Sequence, residues 1–228
     1  MTVLHLADEG EAADLAAFLS RLLHYDRAAA VRLQASGTAL AVFGRPPSFE
    51  VLAIRAVRLA KPYENGLDVT LDVTVSAGEL LESVDESAGT ATVPGAVTGP
   101  PWAGVLPPRG GWQAEPGLPA PDALRALVAA AVTEFRARTE ALTAESRTRA
   151  ELDRIGREIW SRTVGRTDLP VRAVHAAQSL GFLRPRKPAD ADGAPVLLVS
   201  GAWLRLRTPY GSVALRRAGL GALGLSVR

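Results

Sequence analysis

The 228 residues predict an α+β fold in three segments, on three observations. Leu67, Val69, Leu71, Val73 and Val75 alternate with Asp68, Thr70, Asp72 and Thr74, the two-residue period of a strand with one buried face. Leu15, Phe18, Leu19, Leu22 and Leu23 recur at three and four residues, the period of a helix with one apolar stripe. Between residues 83 and 121 neither period holds, and eight prolines interrupt the chain. Strands dominate before this break and helices after it. The expected architecture is an N-terminal antiparallel sheet with a packed helix over residues 1–82, a Pro/Gly-rich connector over 83–120, and a C-terminal helical part ending in a β-hairpin over 121–228.

Residues 2–7 form a short apolar run, read as a strand. Asp8 stands three residues before Glu11, the spacing of a capping box, and opens a helix over about residues 9–29. His24 falls near the end of that helix, where an imidazole can meet the last carbonyls; this structural role outweighs proton transfer with Asp26. Residues 31–35, 38–43 and 51–59 follow as strands, the first two joined across Ser36-Gly37. Asn65-Gly66 is a tight-turn signal, so the strands at 51–59 and 67–75 are expected to pair antiparallel. Asp68 and Asp72 lie about 13 Å apart along a strand, too far to share a metal.

The connector carries Trp102 and Trp112. Two indoles cost too much to leave in water, so the segment is expected to be pinned against a domain surface. Its Pro107-Pro108-Arg109-Gly110-Gly111-Trp112 run could hold an anion or a peptide, but packing is the preferred reading. Pro121 then opens a helix with the stripe Leu124, Leu127, Val128, Ala131, Val132 and Phe135. The stripe fades after Leu142, and Thr148 with Glu151 repeats the capping-box spacing. The expectation is a break and a new helix over 149–162 with Leu152, Ile155, Ile159 and Trp160 inward; the rival is one helix of about 40 residues, which would protrude and invite dimerisation.

The last third is bounded most clearly. Asp168 can cap, Pro170 suits a first turn, and Gly181 suits the left-handed position past a helix end. Between them Val171, Val174, Ala177 and Leu180 share a side, with Arg172, His175 and Gln178 off it. The basic linker Arg184-Pro185-Arg186-Lys187 leads to a hairpin. A turn at Thr208-Pro209-Tyr210-Gly211 sets Arg207 opposite Ser212, Arg205 opposite Ala214 and Trp203 opposite Arg216. Trp203, Arg205, Arg207 and Arg216 then share one face, and Leu204, Leu206, Val213 and Leu215 the other. Residues 218–228 are Gly-rich and apolar, a last strand or a dimer contact.

A helix ending in Gly181-Phe182-Leu183 and followed by a two-stranded basic hairpin resembles the recognition helix and wing of winged helix-turn-helix domains, over about a fifth of the chain. The resemblance implies double-stranded DNA as partner, with Arg172, His175 and Gln178 toward bases and Arg205, Arg207 and Arg216 toward phosphates. Arg184, Arg186, Lys187 and Trp203 complete the DNA-binding set it suggests. Where that family has a short helix directly before the recognition helix, this chain has a longer one followed by Thr163 to Thr167.

Charge points the same way. Residues 1–100 carry 7 Arg or Lys against 13 Asp or Glu, whereas residues 163–228 carry 10 against 3, within a chain of net charge +2. Such asymmetry suits a polyanion, or an acidic partner surface in the same or another chain. The chain has no cysteine, its three histidines (His5, His24, His175) share no ligand spacing, and no nucleophile elbow or dinucleotide fingerprint occurs. The expectation is a non-enzymatic, cytoplasmic regulatory protein with no cofactor, no metal, no signal peptide and no membrane span. The alternative is a protein-interaction or scaffold protein, a possible homodimer, without affinity for nucleic acid.

Overall fold

The structure, a computed structural model, describes residues 2–60, 71–185 and 193–217. The Asn65-Gly66 turn, the first half of the strand expected at 67–75, Arg186, Lys187 and the tail at 218–228 lie outside the described residues. The chain is α+β. It runs β1 (Val3–His5), α1 (Glu9–Tyr25), β2 (Ala30–Ser36), β3 (Ala39–Gly44), β4 (Leu52–Arg58), β5 (Leu71–Ser76), α2 (Ala77–Glu82), β6 (Val84–Asp85), β7 (Thr90–Thr92), β8 (Gln113–Glu115), α3 (Pro121–Glu140), α4 (Arg149–Trp160), α5 (Val171–Ser179), β9 (Val196–Ser200), β10 (Trp203–Thr208) and β11 (Gly211–Arg216). Short 3-10 turns occur at Pro47–Phe49 and Pro101–Gly104.

Eight of these strands join in one antiparallel sheet, ordered β5-β2-β3-β4-β11-β10-β9-β8; β1, β7 and β6 make a small second sheet. The seam is β4 against β11, with Ser212 opposite Ile54, Val213 opposite Ala53 and Ala214 opposite Leu52. Strands from the two ends of the chain thus share one ladder. This corrects the expected pairing of 51–59 with 67–75: β4 is taken by β3 on one side and β11 on the other, so β5 crosses to the far edge and pairs with β2, Val31 opposite Val75.

Strand alternation makes two faces. Val31, Leu33, Leu40, Val42, Ala53, Val57, Leu204, Leu206, Val213 and Leu215 enter the main core together with apolar residues of α1, α3, α4 and α5. Phe43, Leu52, Ile54 and Ala214 form a smaller cluster on the rear face, packed by Trp102, Leu106 and Trp203. The connector is pinned as expected: Trp102 packs on this rear cluster, and β8 adds a strand to β9.

Local chemistry explains the helix limits. Asp8 caps α1 by accepting from the Glu11 amide at 2.8 Å. That helix ends at Tyr25, short of the expected Ala29, because Asp26 turns into extended backbone and its carboxylate accepts from the Ala28 amide at 2.9 Å, a bond that competes with helix. The break between α3 and α4 is present, with Thr148 accepting from the Glu151 amide at 3.3 Å. Across it Arg138 grips Glu158 with two bonds of 2.7 and 2.8 Å. Pro170 rather than Asp168 precedes α5, with no side-chain cap. Gly181 takes the left-handed conformation at φ 76°, which lets the Phe182 amide reach back to the Ala177 carbonyl at 2.7 Å.

Candidate functional site

The hairpin has the expected register, Trp203 opposite Arg216, Arg205 opposite Ala214 and Arg207 opposite Ser212. It is not a projecting wing, however: β10 is bounded by β9 and β11 by β4, which places both strands inside the sheet. Helix α5 packs on the opposite side, with Val171, Ala173, Val174, Ala176 and Ala177 buried in the main core. The residues singled out from the sequence therefore fall on two sides of one sheet. Trp203, Arg205, Arg207 and Arg216 stand on the rear face. On the helix side, Arg172 lies 3.7 Å from Glu50, and Arg184 is bonded to Asp14 at 2.7 Å beneath its cation–π contact with Tyr210 at 3.9 Å. Gln178 is exposed.

The rear face has its own order. Arg216 lies over the Trp203 ring at 5.4 Å and Arg205 over the Trp112 ring at 5.8 Å, both within cation–π reach. The Trp112 indole is held by the Pro108 carbonyl at 2.9 Å. Among the described residues Arg205, Arg207 and Arg216 have no carboxylate partner, and the Nε of Arg205 is buried without a hydrogen bond. Burial first, and neighbouring Arg207 second, pull the Arg205 pKa below the ordinary arginine value. At the β2/β5 end the same face is neutralised: Arg32 holds Asp72 at 2.7 and 2.8 Å and also donates to the Ala103 carbonyl. That pairing, first through the hydrogen bond, lowers the Asp72 pKa and raises that of Arg32. A shallow pocket of about 640 Å³ lies between this end of the sheet and the connector, reaching Arg109 and Arg205.

A larger cleft, of about 1020 Å³, opens on the helix side among α3, α4, α5, the end of α1 and the turn at Pro47–Phe49. Rings line it in sequence. Tyr25 meets Phe49 edge-on at 5.2 Å, Phe49 meets His175 edge-on at 5.1 Å, His175 stacks on Trp160 at 4.7 Å, and Trp160 meets Phe135 at 5.9 Å. Burial among these rings lowers the His175 pKa from its ordinary 6.5, so the imidazole is neutral at pH 7 with one N–H to donate and one nitrogen to accept. Two local departures from backbone preference converge here. Glu50 has φ 53° and ψ 36°, the one non-glycine residue with positive φ among those described, a conformation that costs about 1–3 kcal/mol. Gly156 sits inside α4, where glycine costs about 0.5–1 kcal/mol relative to alanine.

Sequence reasoning placed Trp160 inward and singled out Arg172 and His175, but it did not join them to Tyr25, Phe49 and Glu50. Only the spacing of Leu152, Gly156 and Trp160, four residues apart on α4, signals a second non-polar stripe. Nothing local marks Glu50.

Among the described residues no helix is long and apolar enough to cross a membrane. No curated protein matches the chain. Residues 1–104 match the family model described as Domain of unknown function (DUF8010), so the aromatic cleft draws residues from both sides of the boundary between two matched segments. Residues 107–220, half the chain, match the model described as Domain of unknown function (DUF8185), and the chain belongs to that family.

Proposed function

We propose that this is a non-enzymatic binding protein that meets a nucleic-acid strand on the rear face of its sheet. The observation that carries the reading is the acid-free group Arg205, Arg207 and Arg216 interleaved with Trp112 and Trp203. Residues two apart on β10 stand about 6.6 Å from each other on a rigid ladder, so the backbone presents the arginines without an ordering cost of its own. Guanidinium groups bind phosphates, and indoles beside them can stack on bases, the combination used by sheets that bind single strands. An unpaired strand fits this arrangement better than a duplex, because α5 is committed to the core and offers only Gln178 exposed among its three off-core positions. Arg172 and Arg184, turned to Glu50 and Asp14, are not part of this surface.

Fluorescence anisotropy with labelled 20-nucleotide single strands and the matching duplex tests the reading. Three phosphate contacts to a single strand give a slope of log affinity against log salt of about −2. Arg205→Ala/Arg207→Ala/Arg216→Ala is expected to lower affinity at least tenfold and to flatten that slope. Absence of binding at low salt, or binding unchanged by the triple substitution, overturns the proposal. A tighter duplex would transfer it from stacked bases to backbone contacts alone.

A further inference from the structure

The aromatic cleft lies across the sheet from the arginine face and is independent of it. Its walls come from both matched segments, with Tyr25, Phe49 and Glu50 from the first and Phe135, Trp160 and His175 from the second. A volume of about 1020 Å³ edged by five rings suits a small flat molecule, which can lie against rings that already pack face and edge.

The interior glycine of α4 has a spatial meaning in this setting. A Cβ at Gly156 would meet Trp160 Cδ1 at 3.5 Å and Phe135 Cε2 at 3.7 Å, so any longer side chain there projects between the two rings. Glycine keeps that part of the cleft open, at a position where helix preference would favour alanine. Glu50, held in the left-handed conformation at the rim, is the other departure from local preference, and its carboxylate faces Arg172.

The charged lining selects the ligand. Arg172 is turned to Glu50, and Arg149 lies 3.6 Å from Asp153. The Arg157 guanidinium has no ion-pair or hydrogen-bond partner among the described residues, and the residue lies one turn before Ser161 on the same side of α4 as Asp153. Of the three guanidiniums that line the cleft, that of Arg157 alone has no carboxylate within 4 Å among the described residues. It matches a carboxylate or a phosphate oxygen pair.

We propose that this cleft binds a small aromatic or heteroaromatic anion, its flat ring against the Trp160 and Phe49 wall and its single carboxylate or phosphate on Arg157. The polar atoms of His175 would then select among rings by their own donors and acceptors.

Nitrogen-15 spectra of the full chain test this, with the Trp160 indole N–H identified by its loss in Trp160→Phe. The titrants are benzoate, indole-3-carboxylate and adenosine monophosphate, each against its uncharged counterpart, benzamide, indole-3-carboxamide and adenosine. At least one acid is expected to shift the Trp160 indole and to bind at least tenfold more tightly than its counterpart; which acid does so separates the carboxylate from the phosphate source. Arg157→Gln, an exposed change, should erase that tenfold preference while leaving the uncharged compound unaffected. Gly156→Leu should abolish binding of both, with the nucleic-acid titration on the rear face unchanged. Equal binding of acids and counterparts, an undiminished preference in Arg157→Gln, or no shift of the Trp160 indole with any titrant overturns the proposal, whether or not Gly156→Leu folds.

Discussion

The two faces of the sheet are built from alternate residues of the same strands, and around β4, β10 and β11 they treat charge in opposite ways. On the helix-covered face Arg55 is buried, and it donates to Glu11 at 3.0 Å, to Asp14 at 3.2 Å and to the Tyr210 carbonyl at 2.8 Å. Asp14 in turn accepts from Arg184, so a helix near the start of the chain and the segment after α5 are tied to one strand. On the rear face Arg205 and Arg216 are met by indole rings, and neither they nor Arg207 has a carboxylate partner among the described residues. A fully buried cation such as Arg55 must be answered, whereas cations that keep contact with water, as the half-buried Arg205 and the exposed Arg207 and Arg216 do, contribute little to folding whether answered or not. The contrast separates arginines bonded into the fold from arginines that the fold leaves without a carboxylate.

The sharpest break in that comparison comes from striking the helix-covered side of the hairpin turn. Gly211 has φ 154°, and a Cβ there would stand 2.5 Å from the ring of Phe182, which is itself buried and stacked on Phe18 at 5.7 Å. Gly211→Val therefore adds backbone strain to overpacking, and the expected loss is about 4 kcal/mol by urea unfolding. The rear-face triple substitution, by contrast, should move stability by less than about 1 kcal/mol. Comparable losses from the two would mean that the rear arginines belong to the fold.

A smaller effect tests the buried ion network directly. Glu11→Ala leaves Arg55 with Asp14 and the Tyr210 carbonyl but without its nearest carboxylate, and should cost about 3 kcal/mol. The double change Glu11→Leu/Arg55→Met is expected to recover most of that loss, because it removes both charges from the interior. If the double variant is as unstable as the single one, the ion network is doing something beyond mutual neutralisation, and the division between the two faces becomes less clean.

How far the sequence revealed this depends on the range of each interaction. The α1 start, the α3/α4 break and the hairpin register rest on neighbours in the chain, Asp8 with Glu11, Thr148 with Glu151, and Trp203 with Arg216 across a four-residue turn, and all were legible. The β4–β11 seam was not, since it pairs residues more than 150 positions apart and neither strand carries a mark naming its partner. Missing that seam made an interior hairpin read as a free wing. The arginines were legible as a cluster, yet whether each was already paired depended on Glu50 and Asp14, which no local spacing connects to Arg172 or Arg184. The cleft was half visible for the same reason: Trp160 and His175 sit on helices whose limits and stripes are local, while Phe49 and Glu50 arrive through a turn whose left-handed end no glycine announces.

The weakest expected effect distinguishes the two faces by pH. His175 is the one imidazole among the rings of the cleft, and burial holds its pKa below the ordinary 6.5. Well above pH 6.5 both folded and unfolded chains carry it neutral, so it contributes no slope. As pH falls through 6.5 the unfolded chain takes up a proton that the folded cleft resists, and stability declines until the lower folded pKa is passed. His175→Gln should flatten this part of the profile, read as the change in urea midpoint between pH 7.5 and 5.5; His5 and His24 are common to both chains and cancel in the difference. No histidine lies on the strands of the rear face, so the anion affinity of Arg205, Arg207 and Arg216 should stay level over the same interval. Parallel midpoint profiles for the wild type and His175→Gln would show that the imidazole is not shielded in the folded chain, and would leave the aromatic wall more open to water than its ring contacts imply.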